Sequence, residues 1–229
     1  MKRVDKAVVL LSGGMDSATT LAIASERHSI IAVHFNYHQR TEERELWCFN
    51  RLCRHYGVSK KIIIDMDFLS KIGGSSLFKG ARPVPVAKFK KGEIPSTYVP
   101  FRNGIMLSIV SAIADRNSAR YIYIGVVEED SSGYPDCKEG FIKKFEAAVR
   151  DGTKNNNISI IAPLVRMTKS EIVATGLRLG VPYQYTWSCY ESNEVPCMKC
   201  ESCILRMNGF SGAGVRDPIL PDLLKSNRG

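Results

Sequence analysis

Apolar and polar residues fall in alternating blocks along this chain of 229 residues, and the blocks change period as they go. The run VVLL at 8–11 is continuous and of strand length, whereas Ala18, Leu21, Ala22 and Ala24 then recur at helical spacing. IIAVHF at 30–35 reads as a second buried strand, a charged helical pattern over 41–56 is ended by Gly57, and KIIID at 61–65 is a third strand. Strand, turn, helix and strand in this order predict βαβ units. The fold class is therefore α/β, with a parallel doubly wound sheet, helices on both faces and right-handed crossovers. Ligands of such sheets bind beyond the carboxyl ends of the strands, where the first turn lies.

From 68 to 100 the pattern breaks down into Gly, Ser, Pro and Lys, an excursion without clear periodicity. Regularity returns with a helix over 103–117, the strand YIYIGV, a helix within 140–149 and the strand ISIIAPL. TKSEIVATGLRLG then reads as a helix with Thr168 as N-cap, Glu171 at the capping-box position and Gly180 as stop. A cysteine-rich tail follows. These blocks predict an α/β domain over 1–180 and a C-terminal four-cysteine and helical segment over 181–229.

Composition changes the picture in two respects. Basic residues exceed acidic ones by 32 − 23 = +9, a balance that suits an anionic ligand, yet they are scattered and form no block, so no nucleic-acid partner is expected. The N-terminal apolar run is too short for a signal-peptide core, no stretch reaches membrane-spanning length, and seven cysteines is an odd number. Reduced thiols in a cytoplasmic protein, away from membranes, are the expectation.

The first strand runs into SGGMDS. Its glycines allow a tight turn that brings backbone N–H groups to an anion, and the following helix adds its N-terminal dipole. The spacing is neither that of a Walker A loop nor that of the dinucleotide fingerprint. Read locally, the segment can also be a plain strand-to-helix turn in which Asp16 only caps the helix. Lys169, opening a helix after a strand, is a candidate cation for the same phosphates. In the tail, Cys189, Cys197, Cys200 and Cys203 form a C-x7-C-x2-C-x2-C array. Four thiolates make a closed tetrahedral zinc site with a structural role, and an iron–sulfur cluster is the rival. Cys48 and Cys53 read as core or partner-face residues, and Cys137 as a packing thiol.

SGGMDS resembles the loop of the PP-loop ATP pyrophosphatases, which cleave ATP between its α and β phosphates. That resemblance implies that Ser12, Gly13, Gly14, Asp16 and Ser17 hold the leaving pyrophosphate. LLSGGMDS, FNYHQR, STYVPFRN, GVVEEDSSGYPDC, PLVRMTKSE, TWSCY with the later cysteines, and RMNGF together resemble the QueC family of 7-cyano-7-deazaguanine synthases. The implied reaction takes 7-carboxy-7-deazaguanine and ammonia through an acyl adenylate and an amide to the nitrile, with two ATP per turnover, Mg2+ and structural Zn2+. Leu11, Met15, Ala18, Thr19, Thr20, Leu21, Phe35, Asn36 and Gly125 are then expected at the nucleotide. Arg102 is expected on the substrate carboxylate or α-phosphate, with Phe101 or Tyr134 stacking, Asn103 nearby, and Asp130 or Asp136 accepting from the guanine edge. A homodimer is likewise implied.

Three positions depart from the family's pattern: His38 and Met198 stand where glycine is common, and Phe101 where a small residue is common. They raise a relative that spends the adenylate on a protein amine. A PP-loop tRNA thiolase or lysidine-type enzyme and a non-catalytic ATP-binding scaffold are the remaining alternatives.

Overall fold

The computed structural model describes residues 5–87, 94–128 and 133–220. Five parallel strands, β1 (Lys6–Leu10), β2 (Ser29–Asn36), β3 (Lys60–Asp65), β4 (Tyr121–Tyr123) and β5 (Ser159–Ile161), lie in the order β3-β2-β1-β4-β5. The chain moves outward from β1 on one side and then returns to its other side for β4. That reversal opens a crevice at the carboxyl end of β1, where the Gly-rich turn sits.

Alternation along β1 sends its side chains to both faces. Val8 and Leu10 join Ile31 and Val33 under α4 (Arg102–Arg116) and α5 (Glu139–Gly152), through Leu107, Val110, Ala114, Ile142 and Val149. Ala7, Val9 and Ala32 face the opposite layer: α1 (Met15–Ser25), α2 (Glu42–His55), α6 (Lys169–Arg178) and α7 (Glu201–Gly212). Both faces of the sheet are thus covered, which is why its strands read as continuous apolar runs. Cys48 and Cys53 are buried on α2, and burial pushes both thiols up to about 12, as core positions require.

Two details differ from the sequence pattern. The excursion after β3 begins with a short helix, α3 (Phe68–Ile72), too short to display a period. The strands before the crevice stop early, β4 at Tyr123 and β5 at Ile161, and residues 124–127 run on as the crevice wall. The capping box on α6 is present, with Glu171 N–H donating to Thr168 Oγ1 and Thr168 N–H to Glu171 Oε2. Among the described residues no helix is long and apolar enough to cross a membrane.

Candidate active site

At the end of β1 the turn folds on its own hydroxyls. Ser12 Oγ and Ser17 Oγ lie 3.1 Å apart, Gly14 N–H donates to Ser12 Oγ, and Ser17 Oγ donates to the Gly14 carbonyl at 3.0 Å. Gly13 has φ +92°, and a Cβ there would come within 2.7 Å of the Glu45 carbonyl oxygen, so the turn admits only glycine. Its own carbonyl accepts from Trp187 N–H at 2.9 Å, which clips the TWSCY segment onto the loop. Gly125 lies close below α1: a Cβ would stand 3.0 Å from Thr20 Oγ1 and 3.1 Å from Ser17 N.

Lys169, the first residue of α6, reaches back across the turn and puts Nζ 2.9 Å from Asp16 Oδ2. Asp16 Oδ1 is buried without a hydrogen-bond partner. A carboxylate oxygen left open beside a cluster of hydroxyls and amides fits a hard cation, and Asp16 is the residue suited to hold Mg2+.

A cavity of about 280 Å³ runs from this loop to the start of α4. Arg102 stands at its far wall, where Nη1 donates to Tyr37 OH at 2.9 Å. Among the described residues no carboxylate lies within ion-pair distance of this guanidinium. Its neighbours stay neutral: burial raises Tyr37, pushes Tyr134 up to about 12 and Cys137 up to about 11, and raises Tyr190 as well. Tyr134 holds its ring against Tyr98, centroids 5.5 Å apart, and its hydroxyl lies 2.6 Å from Thr97 Oγ1. The floor is braced by Arg206, whose buried guanidinium makes a bidentate pair with Asp217 at 2.7 and 2.9 Å and donates to Thr186 Oγ1.

Beside the cavity the four tail cysteines meet, their sulfurs all within 4.8 Å of one another. Zinc–thiolate bonds of about 2.3 Å put tetrahedral sulfurs about 3.8 Å apart, so this cluster fits a single ion. Backbone N–H groups of Glu191, Ser192 and Cys197 donate to Cys189 Sγ, and that of Cys200 to Cys197 Sγ, the second-layer donors that thiolates need.

The expected site residues divide. Leu11, Ser12, Gly14, Met15, Asp16, Ser17, Phe35, Arg102, Asn103, Gly125, Tyr134 and Lys169 line the cavity. Gly13 shapes the turn from behind it. Ala18 and Leu21 do not reach it, because α1 carries them into the core, and Thr19 is spent on Met15 O and Tyr183 OH. Thr20 is buried beneath Gly125, and Asn36 donates to Asp65 Oδ1. Asp136 is 3% exposed and accepts the Asn103 N–H at 2.8 Å, capping α4 in place of facing the cavity. Phe101 is 49% exposed and meets Phe141 edge-on outside it. Asp130 lies outside the described residues.

Sequence reading passed over Glu45, Tyr37, Tyr190 and Glu201, which also line the cavity. Tyr37 and Tyr190 sat inside motifs already singled out, whereas Glu45 was hidden in the charged pattern of α2. None of the three departing residues lines the cavity. His38, Phe101 and Met198 have φ of 61°, 54° and 56°, left-handed backbone that favours glycine. Their departure is therefore one of backbone cost, at positions outside the cavity.

Comparison with known proteins agrees with this geometry. The family described as "Queuosine biosynthesis protein QueC" matches residues 6–214. A 7-cyano-7-deazaguanine synthase of Nautilia profundicola is 54% identical over 216 residues, 93% of this chain and 97% of that one. One of Campylobacter hominis is 50% identical over 93% of this chain and 98% of its own length. Among solved structures, the U34-tRNA thiolase NcsA of Methanococcus maripaludis, described with an iron–sulfur cluster, superposes with a TM-score of 0.50 at 17% identity. It covers 92% of this chain and 69% of the thiolase, and at that identity the likeness is one of fold alone. With the family matched across nearly the whole chain and relatives at half identity or more, the chain belongs to the QueC family.

Proposed function

We propose that this chain converts 7-carboxy-7-deazaguanine and ammonia into 7-cyano-7-deazaguanine, with ATP activating the substrate twice. The relatives' name supports the product, and the observation that carries the chemistry is Arg102. A partly buried guanidinium with no carboxylate within ion-pair distance among the described residues is costly until an anion joins it, and its planar fork matches a carboxylate or an α-phosphate.

In the first stage the substrate carboxylate attacks the α-phosphorus of ATP and pyrophosphate leaves toward the Ser12–Ser17 turn. Lys169 and the turn's N–H groups offset the charge that builds on the leaving oxygens. Ammonia then displaces AMP to give the amide. In the second stage the amide oxygen attacks a second ATP at the same place, and loss of AMP and the remaining N–H protons leaves the nitrile. Mg2+ held at Asp16 would neutralise phosphate charge. Zinc on Cys189, Cys197, Cys200 and Cys203 would be structural, because four protein ligands leave no open position. The Tyr134 ring is the stacking surface for the deazaguanine. A cytoplasmic location and a homodimer belong to the same reading on the strength of the family resemblance.

The test is ATP–pyrophosphate exchange without ammonia. Label should enter ATP only when 7-carboxy-7-deazaguanine is present. No exchange with that acid would refute the reading, and transfer of the acyl group to a protein amine in preference to ammonia would favour the protein-modifying alternative.

A further inference from the structure

The first turn of α2 brings a carboxylate into the cavity that neither the loop chemistry nor Arg102 accounts for. Glu45 lines the cavity, and its backbone carbonyl lies where a Cβ on Gly13 would stand 2.7 Å away, so this turn of α2 rests against the Ser12–Ser17 turn. Two buried residues hold it. Thr41 Oγ1 donates to Oε1 at 2.6 Å and Gln39 Nε2 to Oε2 at 3.1 Å, and Gln39 is itself locked by the Tyr37 N–H at 2.8 Å. Thr41 and Gln39 are 2% and 1% exposed. Each oxygen keeps lone-pair capacity, and the carboxylate has no cation within ion-pair distance among the described residues. A held but unneutralised carboxylate in a cavity is poorly suited to binding phosphates, which it repels, and well suited to taking a proton.

Resting on the function proposed above, we infer that Glu45 is the proton acceptor for ammonia when it attacks the acyl adenylate. The nitrogen lone pair forms the C–N bond, the C–O bond to AMP breaks with its electron pair going to the phosphate oxygen, and one N–H proton passes to Glu45. The same group is placed for the two N–H protons that leave as the amide becomes a nitrile.

Burial raises the proton affinity of Glu45, with hydrogen bonds from Thr41 and Gln39 and the charge of Arg102 acting in the opposite direction and Glu42, one turn earlier, reinforcing it. Cys48 stands on the next turn of α2, Tyr37 on the facing loop, and Asp16 and Lys169 are paired with each other across the turn. Because the deprotonated form is the active one, amide formation at constant free NH3 should fall as pH drops through the raised value.

Glu45→Gln is the test, with the wild-type chain, ATP, Mg2+, the carboxylate substrate and ammonium. The expected result, with rates referred to the concentration of free NH3, is amide formation reduced about 10²-fold with its acidic limb abolished, and pyrophosphate exchange within about twofold of wild type. Thr41→Val, which removes one hydrogen bond to the charged form, should move the acidic limb of the wild-type profile to higher pH. Equal loss of exchange and amidation in Glu45→Gln, undiminished amidation, or an unmoved limb in Thr41→Val would overturn the assignment. Absence of exchange in the wild type would instead refute the function on which it rests.

Discussion

At the loop end of the cavity Lys169 meets Asp16 at 2.9 Å, whereas at the α4 end Arg102 meets only the Tyr37 hydroxyl, also at 2.9 Å. One cation is already paired by the protein and the other is not. The pair at the loop holds the turn in shape, and in the proposed function pyrophosphate binds there against amides and hydroxyls. The guanidinium without a carboxylate partner raises the free energy of the fold, and in the proposed function a substrate anion completes it.

The comparison breaks most sharply at Arg102. Arg102→Met should cost about 2–5 kcal/mol of binding and transition-state stabilisation, that is about 30- to 5000-fold in kcat/KM for the carboxylate. The unliganded protein should at the same time gain about 1 kcal/mol, or about 2–4 °C in Tm. Steady-state kinetics and calorimetry on one variant read both signs, and a Tm that falls together with activity would mean that Arg102 is paired in the free protein.

Lys169→Met should behave in the opposite sense. It leaves Asp16 unpaired, so activity and stability fall together, exchange by about 10²-fold and the fold by about 1–3 kcal/mol. Retained exchange would remove Lys169 from the phosphate site. Cys200→Ala acts at a distance from both cations. Elemental analysis should give about one zinc per wild-type chain and none in the variant, with the tail loosening first and ATP still cleaved between the α and β phosphates. Iron with matching sulfide would contradict the zinc reading.

The smallest effect is on the backbone. His38 has φ 61°, where an L side chain costs about 1 kcal/mol, and among the described residues its ring is tied only to Asp67, at 3.0 Å on the surface. His38→Gly should therefore change stability by less than about 1 kcal/mol, with strain relief offset by chain entropy and by a surface pair worth little, and should leave kcat unchanged. A large loss of activity would place the His38 side chain in the chemistry after all.

These contrasts also explain what the sequence allowed one to read. Fully buried parallel strands are continuous apolar runs, and the Thr168–Glu171 box is a local code, so both were legible. The four cysteines were legible because their clustering is local in sequence. Asp136 misled because a carboxylate in a turn looks like a ligand. Phe101 gives α4 no side-chain cap, so its orphan N–H at Asn103 is taken by a residue 33 positions later, which no local pattern records. Glu45 was illegible for the converse reason: in a helix opening Glu42, Glu43, Arg44, Glu45, charge reads as a solvated face, and only packing of the turn on Gly13 reveals that one acid points inward.

The most direct measurement is mass spectrometry of the products formed from 7-carboxy-7-deazaguanine, ammonium, ATP and Mg2+. The expected result is 7-cyano-7-deazaguanine with two AMP and two pyrophosphates per nitrile, the amide appearing only in passing. Accumulation of the amide with a single AMP, or of AMP with no change in the deazaguanine, would contradict it.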